Sequence, residues 1–281
     1  MKKSNKILLG AFAIIALLTI GLITNLSAFY QSEDGQCGLS PHFFIFNKLI
    51  KGNGKTITQN SSLDRFNRIS LKGKLNVILQ PGKTNSLTIT TDENILPFLV
   101  INNKDDFLSI STKPGTSLSP SQQEKIIITT NAEVNEIHLG GKVHLAVDNI
   151  QTTDLDLAMG GKSQVQLTGN IKNLQITANG KSHIEAKIIH GEALRLNTSG
   201  KSQAQLSGSV NNLSITASGK TNIAAQHLIA NNVTVLGAGE SDISLYANKT
   251  ILANMNGESH VQYRGNAIVS QSSTGVSIVK Q

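Results

Sequence analysis

Five lysines stand at Lys142, Lys162, Lys181, Lys201 and Lys220, each directly after a glycine and 19 or 20 residues from the next. An ammonium group is a compact charge with three donors and no acceptor. A regular file of them matches a chain of phosphates, sulfates or carboxylates. The same file is also what a solvated sheet surface carries to resist pairing with other chains. The spacing therefore supports two readings: a cationic groove for a linear polyanion, such as an acidic glycan or another envelope component, or a solvated edge.

At the next two equivalent places the sign reverses, to Glu240 and Glu258, and two residues further on stand Asp242 and His260. This quartet has the residue types of a metal site. His144 and His183 do not, because two coils separate them by about 9.6 Å, and metal ligands sit about 2.0–2.6 Å from their ion. Glycoside hydrolysis needs two facing carboxylates. The densest acids are Asp148, Asp154 and Asp156, but no His or Arg accompanies them in their own repeat, and arginine is confined to Arg65, Arg68, Arg195 and Arg264. The run Gly52-Asn53-Gly54-Lys55-Thr56 looks like a phosphate loop but lacks its spacing and following helix. The expectation is a non-enzyme with no catalytic residues and no cofactor.

The elements that position these residues follow from a period near 20. Gly141, Gly161, Gly180, Gly200, Gly219, Gly239 and Gly257 recur at intervals of 20, 19, 20, 19, 20 and 18. Alternating apolar pairs precede them, as in Leu174/Ile176, Leu194/Leu196 and Leu213/Ile215, and alternation resumes after each glycine. Period-two alternation on both sides of a glycine reads as strand, corner, strand. Residues 166–186 align without gaps to 205–225, so two coils form a super-repeat. All five prolines precede residue 121, as a stack of paired strands requires. The fold class is all-β: a single-stranded parallel β-helix of about seven coils, right-handed by the crossover preference. Regular coils span 132–265, a β-rich N-terminal module 52–131 and a C-terminal cap 266–281. The alternation phase puts Ser182, Ser202 and Thr221 inside and Lys181, Lys201 and Lys220 outside. Each inward hydroxyl is expected to bond a backbone group.

The net charge of +7 is not a nucleic-acid signature. From residue 132 onward 11 basic residues face 10 acidic ones, and three of the remaining charges are Lys2, Lys3 and Lys6. Basic residues before the apolar run Ile7 to Ile23 form an export segment. Its length lies between a cleaved signal and a spanning helix, so residues 1–28 are a signal peptide or a membrane anchor, with a hydrophobic helix, and 29–51 a linker. Everything after Ala28 is expected outside the cytoplasm: in the periplasm, at the cell surface, or held to the membrane through residues 7–28 if these are retained. The single cysteine, Cys37, follows Asp34-Gly35-Gln36 and allows neither an intramolecular disulfide nor a lipoprotein anchor.

One order of motifs is more specific than any of its parts. Leu63-x-x-Phe66-x-x-Ile69-Ser70-Leu71-Lys72-Gly73-Lys74-Leu75-Asn76-Val77 is followed by Asp92-Glu93-Asn94-Ile95-Leu96, by Phe107-Leu108-Ser109-Ile110-Ser111, and then by the Leu-x-Ile-x-x-x-Gly-Lys-Ser coils. Over about residues 52–265 this resembles the bacterial putative auto-transporter adhesin head (GIN) domain family. The resemblance implies an exported β-helical domain and carries no catalytic residues. It departs in placing Lys after the corner glycine, where many relatives have Gly or Ser. The expected function is a non-catalytic binding, adhesin-like or scaffold module. The alternatives are a carbohydrate-active enzyme on a β-helix and a structural or sensory ectodomain on a membrane anchor. No oligomeric state follows from the sequence.

Overall fold

The chain is described by a computed structural model over residues 48–272 and 274–280. The expected apolar helix and Cys37 lie outside the described residues, as does most of the expected linker. The described residues are all-β apart from one 3-10 turn, Leu96–Phe98. The last residues read as linker form β1, Lys48–Lys51, which runs parallel to β7, Thr116–Ser119, as a separate two-stranded sheet. The other strands join one 11-stranded sheet. They are β2 Thr56–Ser62, β3 Arg68–Pro81, β4 Ser86–Asp92, β5 Leu99–Lys104, β6 Phe107–Thr112, β8 Lys125–Thr130, β9 Glu136–Met159, β10 Gln164–Gly180, β11 His183–Arg264, β12 Ile268–Gln271 and β13 Thr274–Lys280.

From β9 onward every strand pairing among the described residues is parallel. Val165 of β10 lies between Leu145 of β9 and Ile184 of β11, and Leu174 lies between Leu155 and Leu194. Offsets of 19 and 20 residues are those of the sequence period. β11 runs for 82 residues without a break, because its corners keep the ladder paired. Gly200 shows how. Its φ is +89°, and a Cβ there would meet the carbonyl oxygen of Gly180, one rung below, at 2.7 Å. Only glycine takes this backbone conformation cheaply and lets the rungs approach.

The core is a set of aliphatic layers. Leu155, Leu174, Leu194, Leu213 and Val233 form one buried file, and Val165, Ile184, Ala204, Ile223, Ile243 and Val261 another. Burial of each Leu, Ile or Val side chain contributes roughly 1.5–3 kcal/mol. Ser182, Ser202 and Thr221 are buried, and Lys181, Lys201 and Lys220 exposed, as the alternation requires. The stretch read as a cap continues the ladder, with β12 and β13 both parallel to β11.

The N-terminal module departs from a single parallel helix. β2 pairs antiparallel with β4, β4 with β8, and β5 with β6. β3 is a rung out of chain order. One of its sides pairs with β6 and β8, and the other with β9, all in parallel. Gly73 thus lies in register with Gly141 at an offset of 68, which hides it from a period of 20. The sheet is therefore mixed.

A second polar file lies on the later coils. Asn231 donates to Asn211 Oδ1 (3.0 Å), Asn232 to Asn212 Oδ1 (3.1 Å), and Thr250 Oγ1 to Asn232 Oδ1 (3.0 Å). Glu192 accepts from Asn211 at its foot (3.0 Å). Stacked amides satisfy one another along the coil axis, which is a structural role.

Candidate functional site

The parallel ladder turns sequence spacing into geometry. Each lysine of the row follows a corner glycine whose neighbour below is another corner glycine. Lys162 N–H donates to Gly141 O (2.7 Å) and Lys181 N–H to Gly161 O (2.8 Å). Successive ammonium-bearing residues are thus one rung, about 4.8 Å, apart. Lys142, Lys162, Lys181, Lys201 and Lys220 are all exposed. The register of β3 adds a member that the sequence period missed, because Lys74 pairs with Lys142. The available signal was local. Leu71-x-Gly73-Lys74-x-x-Val77 repeats Leu139-x-Gly141-Lys142-x-x-Leu145.

Beside the lysines runs a second outward file. Asn76 pairs with His144, His144 with Gln164, and Gln164 with His183. The two files border a shallow depression of about 240 Å³ whose lining includes Lys162, Lys181, Lys201, His144, His183 and Gln203. Cations and neutral donors on one rigid strip can hold both the acidic groups and the hydroxyls of an extended ligand. Among the described residues none of Lys74, Lys142, Lys162, Lys181 and Lys201 has a carboxylate within ion-pair distance. Lys220 does: its ammonium donates to Glu240 Oε1. That hydrogen bond and the charge of Glu240 raise the Lys220 pKa above its ordinary value.

The inward hydroxyls are less uniform than expected. Ser163 Oγ donates to Gly160 O (3.0 Å) and Ser259 Oγ to Gly239 O (3.2 Å), while Thr221 Oγ1 donates to Ser241 Oγ (3.0 Å). Ser182 and Ser202 have buried hydroxyls with no partner among the described residues.

The expected metal quartet is not assembled. Among the described residues no three His, Cys, Asp or Glu side chains stand close enough to share an ion. Glu240 is drawn to Lys220 on the rung below, and His260 Nε2 accepts from Gln262 on its own strand (2.9 Å).

Asp154 and Asp156 line a hollow of about 450 Å³ that includes Arg195. The parallel register places Arg195 beside Gln175, which in turn pairs with Asp156, so an arginine does accompany the pair two rungs away. Each carboxylate accepts an amide hydrogen bond from the next rung: Asn173 donates to Asp154 Oδ1 (2.9 Å) and Gln175 to Asp156 Oδ2 (3.3 Å).

A further group, Glu124, was not singled out by sequence. It is only 5% exposed and its Oε2 has no hydrogen-bond partner among the described residues. Burial pushes its carboxyl up to about 7, against a smaller lowering by the Asn76 contact and by Lys74. It lies in a depression of about 300 Å³ at the foot of the lysine row, together with Lys74, Lys142 and His144.

Solved structures share this architecture. A putative lipid binding protein from Parabacteroides distasonis is 23% identical with a TM-score of 0.76, covering 83% of this chain and 100% of its own. A putative adhesin from Parabacteroides merdae is 18% identical with a TM-score of 0.71, covering 83% and 99%. A putative adhesin from Bacteroides fragilis is 24% identical with a TM-score of 0.62, covering 82% and 99%. At these identities the likeness is one of fold. No curated protein sequence matches this one. The profile of the family described as putative auto-transporter adhesin, head GIN domain, matches residues 65–267, and the chain belongs to that family.

Proposed function

We propose that this chain is an exported, non-catalytic binding module of the cell envelope, in which a parallel β-solenoid presents the lysine row to a linear acidic glycan. The observation that carries the reading is the row itself: Lys74, Lys142, Lys162, Lys181 and Lys201, one per rung and without carboxylate partners among the described residues. A solvated edge needs no such consistency. The backbone anchors of these lysines are fixed one rung apart, so five like charges share one strip at an electrostatic cost that a bound polyanion removes. Rigidity also lowers the ordering cost of binding. The export reading rests on Lys2, Lys3 and Lys6 before the apolar run, and adhesin-like relatives favour the envelope. The paired carboxylates, held by amides, favour binding over hydrolysis at the Asp154 hollow.

The test is a binding titration of the full chain with octagalacturonate across a range of salt concentrations. Affinity is expected to fall steeply with salt, as for any ligand held by several displaced counterions. The triple change Lys162→Gln, Lys181→Gln, Lys201→Gln is expected to lower octagalacturonate affinity by about tenfold or more and to flatten its salt dependence, while leaving thermal unfolding unchanged. Absence of salt-sensitive binding to octagalacturonate, to sulfated glycans and to lipopolysaccharide overturns the reading and leaves the row a solvated edge. New reducing ends in the incubated glycan would establish an enzyme instead.

A further inference from the structure

The lysine row has a definite foot. Below Lys142 the ladder reaches Lys74, and there the segment Pro120 to Glu124 closes one side of the strip, making the 300 Å³ depression. That segment is held from outside the site. Asp92 accepts from Ser121 Oγ (2.6 Å), from Ser121 N–H (2.8 Å) and from Gly54 N–H (2.8 Å). These bonds, the Ser121 side chain first, keep the Asp92 carboxyl below its ordinary range. From inside, Asn76 Nδ2 donates to Glu124 O (3.1 Å). The depression is thus a built feature at a fixed place on the row.

Its lining combines three chemistries. Lys74 and Lys142 bring positive charge, Gln122, Gln123 and Asn76 bring amides, and Pro120 brings an apolar wall. Under these lies Glu124, with a buried and unpartnered oxygen. A bare ion would use the lysines alone. The volume sits at the lower end of small-molecule sites, which begin at about 300 Å³, and suits one sugar ring. An unpaired buried oxygen costs about 1–3 kcal/mol, and a ligand group bonded to it recovers that cost.

We propose that this depression is the subsite for the terminal unit of the acidic glycan, a hexuronate-type sugar, with Lys74 and Lys142 holding its carboxylate and the Glu124 carboxyl donating to a hydroxyl oxygen. This rests on the reading of the lysine row given above and adds a polarity to it: the glycan end seats at the foot, and the chain extends past Lys162, Lys181 and Lys201. Donation requires Glu124 to be protonated. Ionised, it is a second anion beside the sugar's own and repels it. The titratable groups facing the site are Lys74 of β3, Lys142 and His144 of β9, and Glu124 itself.

The experiment measures digalacturonate and octagalacturonate binding to the full chain at pH 6 and pH 8, in wild type, Glu124→Gln, Lys74→Gln, His144→Gln and the triple row variant. With the Glu124 carboxyl near 7, its neutral fraction falls about tenfold between these pH values, and digalacturonate affinity is expected to follow. Glu124→Gln keeps a donor and cannot ionise, so it is expected to bind equally at both. Lys74→Gln is expected to lose digalacturonate binding, and the triple variant to keep it with its pH dependence intact. His144→Gln is also expected to keep the pH dependence. If octagalacturonate binds but digalacturonate does not, or if the pH dependence survives Glu124→Gln or vanishes in His144→Gln, the subsite is overturned and the row stands. If digalacturonate binds as described but octagalacturonate gains nothing from Lys162, Lys181 and Lys201, the row is overturned and the subsite stands. Failure of both ligands overturns both. Should Glu124→Gln unfold, Lys74→Gln decides, because Lys74 is exposed and its replacement leaves the core intact.

Discussion

Lys220 and Glu240 occupy equivalent places on successive rungs, and the ammonium of the first donates to the carboxylate of the second. The pair marks where the cationic file ends. Lys220 belongs to the row by position but is neutralised by its neighbour, so the free cations run from Lys74 to Lys201. Exposed pairs of this kind contribute little to stability. Glu240→Lys is therefore expected to leave the thermal midpoint almost unchanged while raising octagalacturonate affinity a few-fold at low salt, with a steeper salt dependence. Unchanged affinity in a titration calorimeter would place the ligand elsewhere.

Corner glycines are separable from turn glycines by the same substitution. Gly200 and Gly54 both have positive φ, +89° and +79°, but a Cβ at Gly200 meets the Gly180 carbonyl oxygen at 2.7 Å and one at Gly54 meets nothing within 4 Å. Gly54→Ala is expected to cost about 1 kcal/mol, the backbone penalty alone. Gly200→Ala adds a collision with backbone fixed in the ladder and is expected to cost about 3 kcal/mol. Denaturant unfolding of the two variants checks the difference.

The inward hydroxyl file makes a parallel comparison. Ser163 Oγ donates to Gly160 O, whereas the buried Ser202 hydroxyl has no partner among the described residues. Ser163→Ala is expected to cost about 1 kcal/mol, and Ser202→Ala to fall within about 0.5 kcal/mol of wild type. Equal losses in chemical denaturation would mean that the two hydroxyls have equivalent partners.

These residues also show what was legible before the fold was known. Side-chain direction at Ser202 and Lys201 follows from period-two alternation, which is a local property, and so do the inward files of Leu174 and Ile184. Partner choice at Ser202 is not local, because it depends on a fraction of an ångström between rungs. The rung of β3 was hidden for a topological reason. Its Gly73 aligns with Gly141 only after the β4 to β8 excursion has added residues that no fixed period accommodates. Arg195 was separated from Asp156 by two coils in sequence and by two rungs in space, a relation visible only once register is known. Glu124 left no sequence signal at all, since its burial depends on how the Pro120 to Glu124 segment is held in the fold, with Asn76 Nδ2 donating to Glu124 O.

Glu124 carries the last prediction, on stability rather than binding. Its carboxyl is raised by burial from the ordinary 4.5 to about 7 in the folded chain. Below pH 4.5 both folded and unfolded chains hold the proton and burial of this group carries no ionisation penalty. As pH rises from there, the unfolded chain releases its proton first, the folded chain holds more, and stability falls until the folded carboxyl ionises near pH 7. Beyond that both states are charged and the loss is complete, at up to about 3 kcal/mol for a shift of this size. Glu124→Gln does not ionise and escapes the loss. The variant is therefore expected to gain on wild type steadily between pH 4.5 and pH 7, then to hold a constant advantage to pH 8, measured by urea unfolding at each pH. A pH-independent difference between the two proteins would show that the carboxyl has an ordinary pKa and that Glu124 is open to water, which would also remove the neutral donor from the foot of the lysine row.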